Sequence, residues 1–469
     1  MGAASIRRIG YINALGHLLV LLLSVCLVNN IAFPRLSLSI ANFFYIDALS
    51  VFFIFVISVV NFASALYSVE YLASDVERGV ISETKARVYY LLFNLFACTM
   101  FLVTVLDNLG MLWAAIEMTT LVSAFLVGFY NTKNSVEAAW KYLIICSVGI
   151  ILALLGTIFF AYAFSLSGGV KSMNWTDMVK AAPLLDKNIL KVAFIFIIVG
   201  YGTKAGLAPM HTWLPDAHSQ AITPISALLS GVLLKTALYA IMRFAVIVNM
   251  SQAGSCLAPL FIFFGIASLA IAAGFMLVQK DIKRLFAYSS IEHIGIVSLG
   301  LGIGGPLGLL GAFLHIFNHA VTKSLAFFSA GSVAKHYKTH NLNVIRGVTQ
   351  VMPFTGFALL LGVLALAGFP PFSIFVSEFM IIVAAFLNGS YVVFSLILIF
   401  IVIVFSALFY HFGRVLFGSA PGDVALASEP LVSKVALIFL LVPICVIGIF
   451  VPAFLRETIA AAIEIVRGI

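Results

Sequence analysis

The chain has 469 residues, of which 63% are hydrophobic and 9% charged, with a net charge of +8 at pH 7. A soluble domain is about 45–50% apolar and about 25% charged, so a water-soluble redox or nucleotide-binding enzyme is excluded and lipid is the solvent for most of the chain. The basic excess reads as loops on the cytoplasmic side of a membrane, not as a nucleic-acid surface.

Apolar runs long enough to cross a bilayer are expected at 8–29, 47–68, 88–106, 108–129, 138–164, 189–208, 222–247, 258–278, 282–302, 307–333, 354–387, 391–413 and 434–454. They predict an all-α, polytopic integral membrane protein with about 13 transmembrane helices. The first run follows Arg7-Arg8 and lacks a small-x-small cleavage site, so it reads as an uncleaved span. The 354–387 run is too long for one straight helix and holds Gly368, Pro370 and Pro371, which predicts a broken helix. A second break is expected after 189–208, at Gly202, Gly206, Pro209, Pro215 and Pro224. With the N-terminus cytoplasmic, the inner loops carry about twice the Lys and Arg of the outer ones. Lys283 and Lys335 count among the inner residues, Lys171 among the outer. The five cysteines show no CxxC, zinc or iron–sulfur spacing, and no cofactor is expected.

The informative residues are ionisable groups that cannot be moved into loops. A charge at mid-bilayer costs at least about 2.5–3.5 kcal/mol, so it needs a partner or water. Glu117 lies ten residues beyond Asp107, about 15 Å along a helix and hence near the midplane. Lys204 precedes the first break, and Lys235 lies mid-span. His315, His319 and Lys323 have i, i+4, i+8 spacing and share one helix face, which suits relay of protons near neutral pH. The two histidines could also bind zinc, but no Glu or Cys lies beside them and HExxH is absent, so no metal is expected. Glu378 lies just beyond the second break. Glu292, His293, His211 and His218 are possible additional relay groups. One buried Glu–Lys pair could merely fix helix packing, but a set spread over most spans predicts a polar axis at mid-depth. His17, His336, His340 and His411 are expected near span ends, solvated or interfacial, and Arg243 is expected to snorkel to the interface.

The strings KAGLAPMHTWLPDAHSQAITPISALLSG (204–231), DIKRLFAYSSIEHIG (281–295), HIFNHAVTKSLAFFSAGSV (315–333) and GFPPFSIFVSEF (368–379) resemble the antiporter-like subunits of complex I. The same family includes the large Mrp antiporter subunits and subunits of group 4 membrane-bound [NiFe] hydrogenases. The resemblance covers roughly 40–455, and SSIEHIG looks most like the hydrogenase-4 component F branch. It implies 14 helices with two inverted five-helix repeats, here 88–247 and 258–413, each containing one broken helix. By position, Glu117 matches the family's fifth-helix glutamate, Lys204 its broken-helix lysine and Lys235 its eighth-helix lysine. His315, His319 and Lys323 match the eleventh-helix stripe, and Glu378 the residue at the proton exit. Counted against 14, the family's first helix is expected to be missing, and a short amphipathic segment, 455–469, is expected in place of a long lateral helix.

The resemblance implies a proton-translocating subunit of a bacterial or archaeal inner-membrane complex. Its partners would be other membrane subunits of a complex I-like or hydrogenase-like assembly, with protons (or Na+) as cargo. In that reading Glu117 pairs with Lys204 and tunes its proton affinity, and the proton passes by side chains and water through Lys235 and His319 or His315 toward Glu378. The rivals are an Mrp-type Na+/H+ antiporter subunit and a structural anchor for a peripheral catalytic module.

Overall fold

The computed structural model describes residues 2–33, 35–168, 172–422 and 424–468; Lys171 lies outside them. Helix α1 (Gly2–Leu27) ends in a π turn and is followed by a short hairpin, β1 (Leu38–Ile40) and β2 (Phe44–Ile46). Then come α2 (Ala48–Glu77), α3 (Glu83–Val105), α4 (Leu109–Val127), α5 (Lys133–Leu166), the short α6 (Trp175–Ala181) and α7 (Lys187–Ala205). The chain continues through α8 (Leu214–Gln220), α9 (Thr223–Leu228), a π turn at Leu229–Leu233, α10 (Leu234–Met250), α11 (Leu257–Leu277), α12 (Ile282–Ile303) and α13 (Gly305–Tyr337). It closes with α14 (Val348–Val351), α15 (Pro353–Leu366), α16 (Ser373–Leu387), α17 (Tyr391–Phe417), α18 (Leu431–Ile449) and α19 (Ala453–Arg467).

Among the described residues, eleven helical segments are long and apolar enough to cross a membrane. The other two expected crossings are α13, whose His/Lys stripe lowers its hydropathy, and the paired short helices α15 and α16. The helix starts follow from side-chain caps. Asp47, Ser82, Asn108, Asp186 and Asp281 each accept backbone N–H bonds at the first turn of α2, α3, α4, α7 and α12, and Thr132 with Ser135 forms a capping box on α5.

Both expected breaks are present. At the first, α7 stops at Gly206, which takes the left-handed conformation that lets the chain leave the helix, and the backbone stays irregular to Trp213. Carbonyls freed in lipid must find donors, and the Trp213 indole N–H bonds the Thr203 carbonyl at 2.8 Å. At the second, residues 367–372 separate α15 from α16, and Asn318 donates to the Ser373 carbonyl at 2.7 Å.

Small residues let α7 press onto α5. A Cβ on Gly149 would lie 2.6 Å from Thr203, and one on Gly200 would collide with the Ala153 backbone. Lipid supplies no hydrophobic drive between helices, so such backbone contact is what holds them. It brings the polar face of α5 against Lys204.

Three expectations are corrected. Arg243 does not snorkel: it is buried, forms two 2.7 Å bonds to Asp47, donates to Ser50 and Tyr239, and lies 4.4 Å from the Trp175 ring centre. Its partner is on α2, 196 residues away in sequence, which no local pattern shows. His17 is not interfacial: it is buried within α1, edge-on to Phe93. Lys283 is not a loop residue: it is buried at the first turns of α12 and donates to the Ala221 carbonyl at 2.6 Å.

Candidate functional site

Two clusters of buried polar groups lie one at each break. In the first, Lys204 ends α7 fully buried and donates to the Thr120 hydroxyl and, at 3.0 Å, to the Tyr142 hydroxyl. Glu117 and Lys204 do not touch directly, which corrects the expected ion pair. Thr120, one turn along α4, stands between them and donates to the Glu117 carboxylate at 3.4 Å. Ser147 of α5 donates to the other Glu117 oxygen at 2.8 Å. Glu117 is only half-buried, beside exposed Met118 and Leu121. Its side chain therefore reaches the flank of the bundle, while Lys204 does not.

The second cluster is built by α10, α12, α13 and α16. Lys235 follows the π turn at Leu229–Leu233 and donates through its side chain to the Ser230 carbonyl at 2.6 Å. Lys235 also donates to His319 Nδ1. The His319 and His293 rings are 4.9 Å apart. His293 Nδ1 in turn lies 3.1 Å from His315 Nε2 and 3.6 Å from Glu378, and its Nε2 lies 3.6 Å from Glu292. Every one of these side chains is buried. Lys323, at the end of the stripe, donates to the Phe286 carbonyl at 2.9 Å.

Between the clusters runs a ladder of rings. Tyr142 packs on Trp213 at 4.7 Å, Trp213 on His218 at 5.8 Å, and His218 on Phe327 at 6.2 Å. Neither His218 nitrogen has a hydrogen-bond partner among the described residues. His211 is buried beside Tyr288, apart from both clusters. At the end of the bundle where α1 begins, a cavity of about 880 Å3 reaches inward, lined by Tyr71, Asp75, Tyr130, Lys283 and Lys335 among others. Lys335 and Asp75 meet there at 2.6 Å.

Thr120, Tyr142 and Ser147 escaped sequence reasoning. Thr120 alone had a local signal, its i+3 spacing from Glu117. Neutral hydroxyls are ordinary in membrane helices, so the others carried none.

Fold and site together define a class: a multi-pass, all-helical membrane subunit with two broken helices and a buried row of acid–base side chains. Residues 107–406 match the family described as NADH:quinone oxidoreductase/Mrp antiporter, transmembrane. Residues 33–79 match the N-terminus of chain 5 of complex I (NADH-ubiquinone oxidoreductase). The chain belongs to this antiporter-like family of membrane subunits. It is 40% identical to a hydrogenase-4 component F homolog of Methylacidiphilum infernorum over 81% of this chain and 80% of that one. It is 33% identical to hydrogenase-4 component B of Escherichia coli over 71% of this chain but 49% of that longer one. The fold is shared with one chain of an archaeal membrane-bound sulfane sulfur reductase (TM-score 0.87, 24% identity, 100% of this chain and 96% of that one). It is shared also with one chain of the Mrp complex of Dietzia (TM-score 0.86, 18% identity, 98% and 93%).

Proposed function

We propose that the chain is the proton-translocating, antiporter-like subunit of a membrane-bound respiratory complex of the hydrogenase or NADH–quinone oxidoreductase kind. The observation that carries this reading is the buried row Lys235–His319–His293–His315–Glu378, with neighbours at hydrogen-bond or near-contact distance. Each member can hold or release a proton, and burial keeps bulk water from short-circuiting the row.

In this reading the cavity beside Lys335 admits water from the cytoplasm, where the N-terminus also lies. Protons reach Lys235, pass to His319, cross to His293 and leave by His315 and Glu378 on the opposite side. Lys204 and Glu117 form the second titrating pair, coupled through the Thr120 hydroxyl instead of by direct contact, with His218 between the halves. At an effective dielectric constant of about 20, moving a unit charge at 4 Å changes the local energy by about 4 kcal/mol. That is ample to bias a neighbouring proton, and it makes the half-buried Glu117 the place where an adjoining subunit could set the state of the chain. We take 88–247 and 258–413 as two inverted repeats, because the break falls in the fourth crossing of each.

A sodium pathway is the second reading, favoured by 32% identity to one of the Na+/H+ antiporter subunits of Alkalihalophilus pseudofirmus over 60% of this chain and 56% of that one. The side chains favour protons: hard cations want oxygen ligands, whereas this row offers amines and imidazoles. The test is proton flux in vesicles holding the intact complex, with and without Na+. Lys235→Met is expected to remove coupled proton movement while the complex still assembles. Wild-type flux in Lys235→Met and in Lys204→Met would sink the proposal, and flux that requires Na+ would favour the second reading.

A further inference from the structure

At the second break, three side chains from three helices converge on one point. His293 Nδ1 of α12, His315 Nε2 of α13 and a Glu378 oxygen of α16 all lie within 4.8 Å of one another. Two of the separations are 3.1 and 3.6 Å. A tetrahedral zinc ion with bonds of about 2.0–2.1 Å sets its ligand atoms about 3.4 Å apart, so only small side-chain shifts separate this cluster from a coordination shell. The i, i+4 pair His315 and His319 is not the ligating pair. The acid that the local sequence lacks arrives from α16.

The surrounding bonds orient the ligands. Ser377 gives its hydroxyl hydrogen to the Ile374 carbonyl at 2.9 Å and accepts from Asn318, so it accepts from His315 Nδ1 at 3.0 Å. That assigns the His315 ring proton to Nδ1 and turns the Nε2 lone pair toward His293 and Glu378. On the other ring, the Glu292 carboxylate stands 3.6 Å from His293 Nε2, which has no hydrogen-bond partner among the described residues, so a small approach would give the carboxylate–histidine arrangement that supports a metal ligand through its far nitrogen. Two neutral imidazoles and two carboxylates balance a dication. The nearby amines are directed elsewhere, Lys235 to His319 and the Ser230 carbonyl, Lys323 to the Phe286 carbonyl. At the break itself Phe369, Pro370 and Pro371 are exposed, and Gly368 abuts the Glu378 carboxylate.

We propose that His293, His315 and Glu378 form a site for a divalent cation of the zinc class, with three protein ligands and a fourth position open. Where the relay proposed above operates, an ion there would interrupt it between His319 and Glu378. That consequence rests on the functional reading; the binding does not.

The experiment uses the full chain in detergent, stripped with EDTA and titrated with Co2+, then with Zn2+. One Co2+ per chain with the visible bands of a four-coordinate ion, displaced by one Zn2+, is expected. His293→Ala and Glu378→Gln are each expected to lose those bands. Ser377→Ala keeps all three ligands and is expected to weaken Zn2+ binding about 10–100-fold. His17→Ala, in α1, is expected to bind as wild type. Absence of a four-coordinate spectrum at equimolar Co2+, or its persistence in both ligand variants, would overturn the proposal. So would equal loss in His17→Ala. Proton flux unaffected by bound Zn2+ would instead count against the relay and leave the site standing.

Discussion

Around the first break, Lys204 is held by two hydroxyls, and its acid, Glu117, reaches the flank of the bundle through Thr120. Around the second, Lys235 is held by an imidazole and a backbone carbonyl, and every neighbour down to Glu378 is buried. Each cluster holds a buried lysine, but the Glu117 carboxylate of the first is half-buried at the flank of the bundle. The second has the continuous row. Under the proposed function, the contrast separates two tasks: sensing at the edge and carrying in the interior.

Arg243 braces the helix that carries Lys235, since its bonds tie α10 to Asp47 at the start of α2. Removing one member of a buried, doubly bonded pair costs about 3–5 kcal/mol. Arg243→Ala is therefore expected to lower the melting temperature sharply in detergent, and a melt equal to wild type would show the strut to be dispensable. Next in size, His319→Leu breaks the interior row at its first imidazole and is expected to cut proton flux at least about 100-fold; flux within a few-fold of wild type would mean that Lys235 hands its proton on by another route. Glu117→Gln keeps the Ser147 and Thr120 bonds but loses the charge, and a drop of about tenfold is expected in the intact complex. A loss as deep as that of His319→Leu would erase the distinction between edge and interior. The smallest effect is expected for Thr120, where Thr120→Val uncouples Glu117 from Lys204 and lowers flux several-fold (about 1 kcal/mol for one hydrogen bond), with Thr120→Ser restoring it. If Thr120→Ser is no better than Thr120→Val, the hydroxyl is not the bridge.

Much of the scaffold was legible before any coordinates. The 13 crossings and both breaks follow from run length and from Gly and Pro placement, because lipid forces every backbone group to be bonded within a helix. The site was legible in kind: Lys204, Lys235, His315, His319, Lys323 and Glu378 stood out as charges too costly to leave unpaired in hydrocarbon. Its wiring was not. The expected Glu117–Lys204 pair proved to be bridged by a threonine. His293, a secondary candidate by sequence, is the hub that meets His315, Glu378 and Glu292.

The sequence by itself determined that the protein lives in a bilayer, where its helices stop, and which side chains must find company there, since each of these is settled by local solvation cost. Tertiary structure alone decided who the company is. Asp47 and Arg243 are 196 residues apart, and Lys235 and His319 are 84. Periodicity within a helix fixes the face a residue occupies; which foreign helix covers that face depends on close backbone packing, such as Gly149 and Gly200 allow between α5 and α7.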